Sequence, residues 1–171
     1  SSGTAGKTKM MFHSWQSEWH TNFLGARGVR ATLPSPPRGI ANCMTPGELN
    51  GAFFFVHGAA RYLGAWTFPL GAKTAPAEVA DTIAEHGLDT LVAAPAYGTE
   101  VITGAGREKL RSLRTYMYLG EAIGRARRNA ILEAAPELEV RSFSYSTNET
   151  GPIGYQCPHA DDSTHHVHED G

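Results

Sequence analysis

The strongest constraint on the fold comes from residues 76–145, where apolar runs of strand length alternate with helical segments. Pro76 fits the first turn of a helix, Ala77–His86 continue it with Val79 and Ile83 on one side, and Gly87 can close it. Leu88–Ala94 then reads as a short buried strand stopped by Pro95. Thr115–Leu119 reads as another strand, ending at Gly120-Glu121. A helix over Ile123–Ala134 follows, and then a third strand, Leu138–Tyr145, with the alternation of a partly exposed face. Strand–helix–strand spacing predicts an α/β fold, layered, with a mostly parallel sheet flanked by helices. Ligands in such sheets sit beyond the carboxyl ends of strands, where both Gly120-Glu121 and the Tyr145–Glu149 turn fall.

The first third of the chain is less regular. Phe12, Trp15, Trp19 and Phe23 recur at steps of three, four and four, which predicts a helix over 11–24 with its aromatic stripe packed in the core. Gly25 and Gly28 are its expected end. Residues 31–50 are rich in Pro and Gly and read as connections around a short segment near Ile40–Met44. The apolar run Ala52–Val56 is compatible with strand or helix.

The 171 residues suffice for one domain with a real core; 41% are hydrophobic and 19% charged, a globular composition. A net charge of -2 gives no attraction for nucleic acid or an anionic membrane. The one basic cluster, Arg125, Arg127 and Arg128, reads as a solvated helix face. No run of 18 apolar residues occurs, and the N-terminus has no signal-peptide pattern, so a cytoplasmic setting is expected. Two cysteines, Cys43 and Cys157, make no disulfide scaffold.

Ser1-Ser2-Gly3-Thr4-Ala5-Gly6-Lys7-Thr8-Lys9 has the make-up of a phosphate loop. Glycines admit an anion to the backbone, amides and hydroxyls donate to it, and lysines add charge. Ser1 stands where a Walker loop needs glycine, which argues against that motif. Such a loop normally hangs from a strand, so the chain is expected to continue a larger domain. The loop resembles the signature loop of the AMP-forming adenylating enzymes (acyl- and aryl-CoA ligases and their relatives), departing from it at Ala5 and Thr8 and matching its last lysine at Lys9. Leu119-Gly120-Glu121 resembles the turn that lies against adenine in that family. Tyr145-Ser146-Thr147-Asn148-Glu149 resembles the aromatic-Gly-x-Thr-Glu motif, with Ser146 in place of the glycine and Asn148 in place of the threonine. Phe55-Val56-His57-Gly58 is similar to a segment carrying a histidine near the acyl pocket. Glu149–Cys157 followed by His166–Asp170 resembles the phenylacetate-CoA-ligase-like branch.

The resemblance implies a partial ATP/AMP-binding domain over 1–171, from the phosphate loop to just past the aromatic-x-x-x-Glu motif, in an enzyme that activates a carboxylic acid as an acyl-adenylate. It implies ATP/AMP and Mg²⁺ as ligands and CoA or another thiol as acceptor. Ser1, Ser2, Gly3, Thr4, Gly6, Lys7 and Lys9 would hold the leaving pyrophosphate. Gly120, Glu121 and Tyr145 would seat adenine. Asn148 would lie by the α phosphate, with Ser146 a further nucleotide-binding residue of the motif, Glu149 would hold Mg²⁺, and His57 would line the carboxylate pocket, though a packing histidine is an equal reading. Phe53–Phe55 and Tyr116–Tyr118 favour an aromatic or hydrophobic acid. The family's later aspartate and catalytic lysine do not occur, so the chain is expected to be a central piece that does not adenylate alone. Open apolar faces would then favour self-association or docking to the remainder of the enzyme. Cys157, His159, His166 and His168, with His165, have residue types suited to Zn²⁺, although they match no finger spacing. The competing reading is a non-catalytic nucleotide- or zinc-binding interaction module.

Overall fold

In the computed structural model, which describes residues 11–47, 50–161 and 164–169, five short strands form one parallel sheet in the order β2-β1-β3-β4-β5. These are β1 (Gly39–Asn42), β2 (Trp66–Pro69), β3 (Thr90–Ala93), β4 (Thr115–Tyr118) and β5 (Glu139–Ser142). The connecting helices are α2 (Ala52–Leu63), α3 (Pro76–His86), α4 (Pro95–Ala105) and α5 (Arg125–Ala134), and α1 (Trp15–Thr32) precedes the sheet. A second, antiparallel sheet follows in the order β6-β7-β8, made of β6 (Tyr145–Thr147), β7 (Gly151–Tyr155) and β8 (His166–Val167).

Strand alternation sorts the core into two layers. Ala41, Leu91, Tyr116 and Val140 stand side by side in register and face Val79, Ile83, Val101, Ile102 and Ile131 of α3, α4 and α5. One residue along, Val92 and Met117 face the other way. With Ile40 and Phe143 they meet Val29 of α1 and Val56, Ala59 and Leu63 of α2. Burial on both faces explains why β3 and β4 read as unbroken apolar runs.

Local chemistry fixes the helix ends. Ser14 Oγ accepts the Ser17 N–H at 3.1 Å and caps α1. Proline opens α3 and α4, and Gly87 closes α3 at φ 61°. Asp89, buried at the amino end of β3, accepts from the backbone N–H groups of Arg38 and Gly39 at 3.1–3.2 Å and so aligns β1 with β3.

Several sequence expectations are corrected. Gly25 and Gly28 do not end α1, which runs on to Thr32. They permit close packing instead: a Cβ on Gly25 would sit 2.5 Å from Phe55 Cε2, and one on Gly28 would sit 3.0 Å from Tyr155 Cβ. The stripe Phe12, Trp15, Trp19 and Phe23 is exposed rather than core, because α1 buries its opposite, C-terminal residues. Ala52–Val56 is helical, within α2. The elements β2, α4 and β7 were not foreseen, and Tyr145–Thr147, expected in a turn, is strand β6. Leu138–Tyr145 is not one strand: β5 ends at Ser142, and Tyr145 opens the second sheet. Arg125 and Arg127 are solvated as expected, while Arg128 Nη1 donates to the Val140 carbonyl at 3.0 Å. Among the described residues no helix is long and apolar enough to cross a membrane.

Two outcomes are expected. Gly98, inside α4, lies against the Tyr116 ring, whereas Gly104 in the same helix has open space where a Cβ would go. Urea denaturation will show Gly98→Ala losing about 1–3 kcal/mol and Gly104→Ala gaining up to about 1 kcal/mol. Burial pushes the Cys43 thiol up to about 12, so it stays protonated at pH 8. Iodoacetamide at pH 8 will therefore modify half-buried Cys157 in the folded chain and reach Cys43 only after denaturation.

Candidate functional site

The strand order reverses between β1 and β3: β2 lies on one side of this pair, and β4 and β5 on the other. Such a switch point opens a crevice at the carboxyl ends of the strands. A cleft of about 750 Å³ lies at that end of the sheet. Its floor comes from Met44, just past β1, and from Leu119 and Gly120, just past β4. One wall is the start of α2, with Gly51, Ala52 and Phe55. The other is the polar side of α1, with Glu18, Thr21 and Asn22.

Two buried amides build this geometry. Asn42, fully buried at the end of β1, donates through Nδ2 to the Phe53 carbonyl at 3.0 Å, and its Oδ1 accepts the Met44 N–H at 3.2 Å. It thereby ties the start of α2 to the floor. Gln156, buried just after β7, accepts the Ser142 N–H on the free edge of β5 at 2.7 Å and donates to the Asp161 carbonyl at 3.2 Å. The Thr32 hydroxyl reaches the Gln156 carbonyl at 2.7 Å. Docked in this way, the second sheet sends its β6–β7 turn over the cleft. The Thr147 hydroxyl accepts the Thr150 N–H at 3.1 Å, and Gly151, at φ 71°, brings the backbone against Thr21.

Of the residues singled out in the sequence, Gly120, Ser146, Asn148 and Glu149 line this one cleft. Gly120 has φ 98°, a left-handed turn that favours glycine and leaves the backbone bare toward the cleft. Ser1, Ser2, Gly3, Thr4, Gly6, Lys7 and Lys9 lie outside the described residues. Three others are not brought in. His57 is exposed on α2, and its Nδ1 shares a hydrogen bond with the Thr67 hydroxyl at 3.0 Å, away from the cleft. Glu121 turns to Arg127 Nη1 at 3.9 Å. Tyr145 is exposed outside the lining, its ring 5.6 Å from that of His165.

The tail does not make the expected zinc set. Among the described residues no three His, Cys, Asp or Glu side chains gather into a metal-binding group, so Cys157, His159, His166 and His168 do not converge. The His166 and His168 rings instead lie tilted against Tyr155, with centroids 5.6 and 5.0 Å from its ring, packing the small sheet. Tyr116 and Tyr118 are core residues and Phe54 is exposed; of the aromatic runs proposed as pocket wall, Phe55 alone lines the cleft.

Sequence reasoning missed His13, Glu18, Thr21, Asn22 and Asn50 as lining residues. A signal was present: Glu18, Thr21 and Asn22 follow at steps of three and one, a polar side beside the aromatic stripe. The cleft's charge is informative. Its described lining carries the carboxylates of Glu18 and Glu149 and no Lys or Arg. A polyanion seated there would need a counter-charge from elsewhere.

Comparison with protein-family models and with curated proteins gives no match. Solved structures do match. A 2-hydroxyisobutyryl-CoA ligase, in complex with 2-HIB-AMP and CoA, superimposes with a TM-score of 0.72 at 19% identity, covering 87% of this chain and 32% of that one. The luciferase-like enzyme of the nonluminescent mealworm Zophobas morio gives 0.68 at 19% identity, over 90% of this chain and 35% of that one. A long-chain-fatty-acid-CoA ligase from Archaeoglobus fulgidus gives 0.62 at 14% identity, over 80% and 28%. The chain thus spans about a third of the length of the structures it matches, and it shares the α/β fold of that part of them, a mostly parallel sheet flanked by helices.

Proposed function

We propose that this chain supplies the nucleotide-binding centre of an ATP-dependent ligase that activates a carboxylic acid as an acyl-adenylate. The observation that carries the reading is convergence: the Gly120 turn and the Ser146–Glu149 turn, distant in sequence, line one cleft at the carboxyl end of a parallel sheet. His13, four residues after Lys9, lines it too.

In the reaction the carboxylate oxygen attacks the α phosphorus of ATP, a P–O bond forms and pyrophosphate leaves. The acyl group then passes to the thiol of CoA or another carrier, and AMP is released. The bare backbone at Gly120 offers a flat surface for the adenine. The Asn148 side-chain amide and the Ser146 and Thr147 hydroxyls are donors for phosphate oxygens. Glu149, Glu18 and the Thr147 hydroxyl present hard oxygen donors that would hold Mg²⁺, which would supply positive charge against the phosphates. With both carboxylates acidic and the described lining without Lys or Arg, Mg²⁺ and the lysines of residues 7 and 9 are the natural counter-charges. Met44, Ala52, Phe55 and Leu119 make an apolar portion of the cleft, which favours a hydrophobic or aromatic acid. Membership of the phenylacetate-CoA-ligase-like branch rests on the Glu149–Cys157 and His166–Asp170 segments. A cytoplasmic setting accords with this reading.

Isothermal titration of Mg²⁺-ATP is the test for this chain. Glu149→Gln will weaken Mg²⁺-dependent binding about tenfold or more, while circular dichroism stays unchanged because Glu149 is exposed. EDTA will bring the parent chain down to the variant's affinity. Equal binding by the two would remove Glu149 from the metal site. In a longer protein carrying this chain, ATP–pyrophosphate exchange against a panel of carboxylic acids will show the largest rate with an aromatic or aliphatic acid. No exchange with any acid would overturn the ligase reading.

A further inference from the structure

Where α1 and α2 meet beside the cleft, large and small residues are exchanged between them. Phe55, near the start of α2, lines the cleft, and its ring lies over Gly25 of α1, where a Cβ would stand 2.5 Å from Cε2. Asn22 of α1 also lines the cleft, and its amide lies over Gly58 of α2, where a Cβ would overlap Nδ2 and Cγ. On both helices the side chain and the glycine are three residues apart, on one face. Each helix therefore supplies one lining side chain and one glycine that makes room for the other's. Neither glycine lines the cleft itself. The Phe55 ring has little room to retreat. It meets buried Phe143 edge to face at 5.5 Å, and Asn42 holds the start of α2 in place through the Phe53 carbonyl. A methyl group at Gly25 would push the far end of the ring toward its open side, which is the cleft.

We infer that Gly25 and Gly58 are positioning residues for an acid-binding portion of the cleft: Gly25 sets, through Phe55, how large an apolar group fits, and Gly58 seats the Asn22 amide that meets the carboxylate. The ligand is a monocarboxylic acid with a flat apolar group. The Phe55 ring offers that group an aromatic surface, and Met44 and Leu119 add apolar lining. The Asn22 side chain offers N–H donors to the carboxylate. The described lining holds no Lys or Arg, so discrimination between acids comes from the fit of the apolar group rather than from charge. In an apolar pocket a single methylene changes affinity about tenfold or more, and one methyl on Gly25 is a change of that size. The class of ligand rests on the acid-activating reading of the cleft; the geometry of the two glycines does not.

Titration of the ¹⁵N-labelled chain with acetate, benzoate and naphthoate, followed at the Asn22 side-chain amide and the Phe55 backbone amide, is the test. The parent chain will bind benzoate more tightly than acetate. Gly25→Ala will weaken benzoate about tenfold and acetate less than about twofold, with circular dichroism unchanged, since alanine favours a helix over glycine. Adding Phe55→Leu to Gly25→Ala will recover benzoate binding, because the shorter side chain leaves room for the methyl. Phe55→Ala alone will act in the opposite sense and raise naphthoate above benzoate. Gly58→Ala will weaken acetate and benzoate by a common factor, because it displaces the donor and not the ring. Gly104→Ala, which has open space in α4, will change none of the three. A parent chain with no preference for the ring, a Gly25→Ala variant that loses acetate as much as benzoate, or a Gly58→Ala variant that spares both overturns the inference. Mg²⁺-ATP added to the same parent sample separates the two readings. Nucleotide binding without acid selectivity removes the role of the glycines and leaves the nucleotide site, while acid selectivity without nucleotide binding does the reverse.

Discussion

The side-chain amide of Gln156 decides where the second sheet sits. Taken out of water, an amide must satisfy both its ends, and each partner left alone would cost about 1–3 kcal/mol. Here Oε1 is held by the Ser142 N–H and Nε2 by the Asp161 carbonyl. The Ser142 N–H sits on the open edge of β5, so one contact seals a sheet edge and orients the element that follows. Thr32, bonded to the Gln156 carbonyl, extends the same junction to α1. The β6–β7 turn can reach the carboxyl end of the large sheet because this junction sets its origin, and without it the cleft would lack one of its sides.

Asn42 performs the matching task on the opposite wall. It occupies a strand position on the α1–α2 side of the sheet, where Val92 and Met117 stand in the neighbouring strands. An apolar residue there would pack as well, but it could not hold the Phe53 carbonyl and the Met44 N–H together. Two amides in an otherwise apolar framework therefore convert a generic three-layer fold into one with a shaped end. The chemistry drawn from that end is electrostatic. Acidic side chains, hydroxyls and an amide suit a ligand that brings its own cation, which is how nucleotide triphosphates meet acidic sites.

What could be read from the sequence follows from where the physics is local. The strands at Thr90–Ala93 and Thr115–Tyr118 are buried on both faces and flanked by Gly and Pro, so apolar runs and punctuation both mark them. The Gly120 turn and the Ser146–Glu149 turn were accessible because strand ends are where such folds bind ligands. The helix α4 was not accessible: its sequence holds two glycines and several β-branched residues, and it is held by Pro95 at its start and by the fit of Gly98 to Tyr116. Strand β2 is an exposed edge ending in proline, which carries little pattern. The aromatic stripe announced a helix correctly but gave the wrong side, since periodicity identifies a face without saying what covers it. His57, Glu121 and Tyr145 lie close in sequence to lining residues yet point elsewhere, which only the packing of α2, α5 and the small sheet determines.

We propose that Gly120, the Ser146–Glu149 turn and the polar side of α1 belong to one nucleotide site. Amide chemical-shift mapping of the ¹⁵N-labelled chain with Mg²⁺-ATP tests this most directly. Saturable shifts are expected at Gly120, Ser146–Glu149, Thr21 and Asn22, with none at Thr67 beside His57. Shifts centred on other faces of the molecule, or no shifts at millimolar nucleotide, would contradict it.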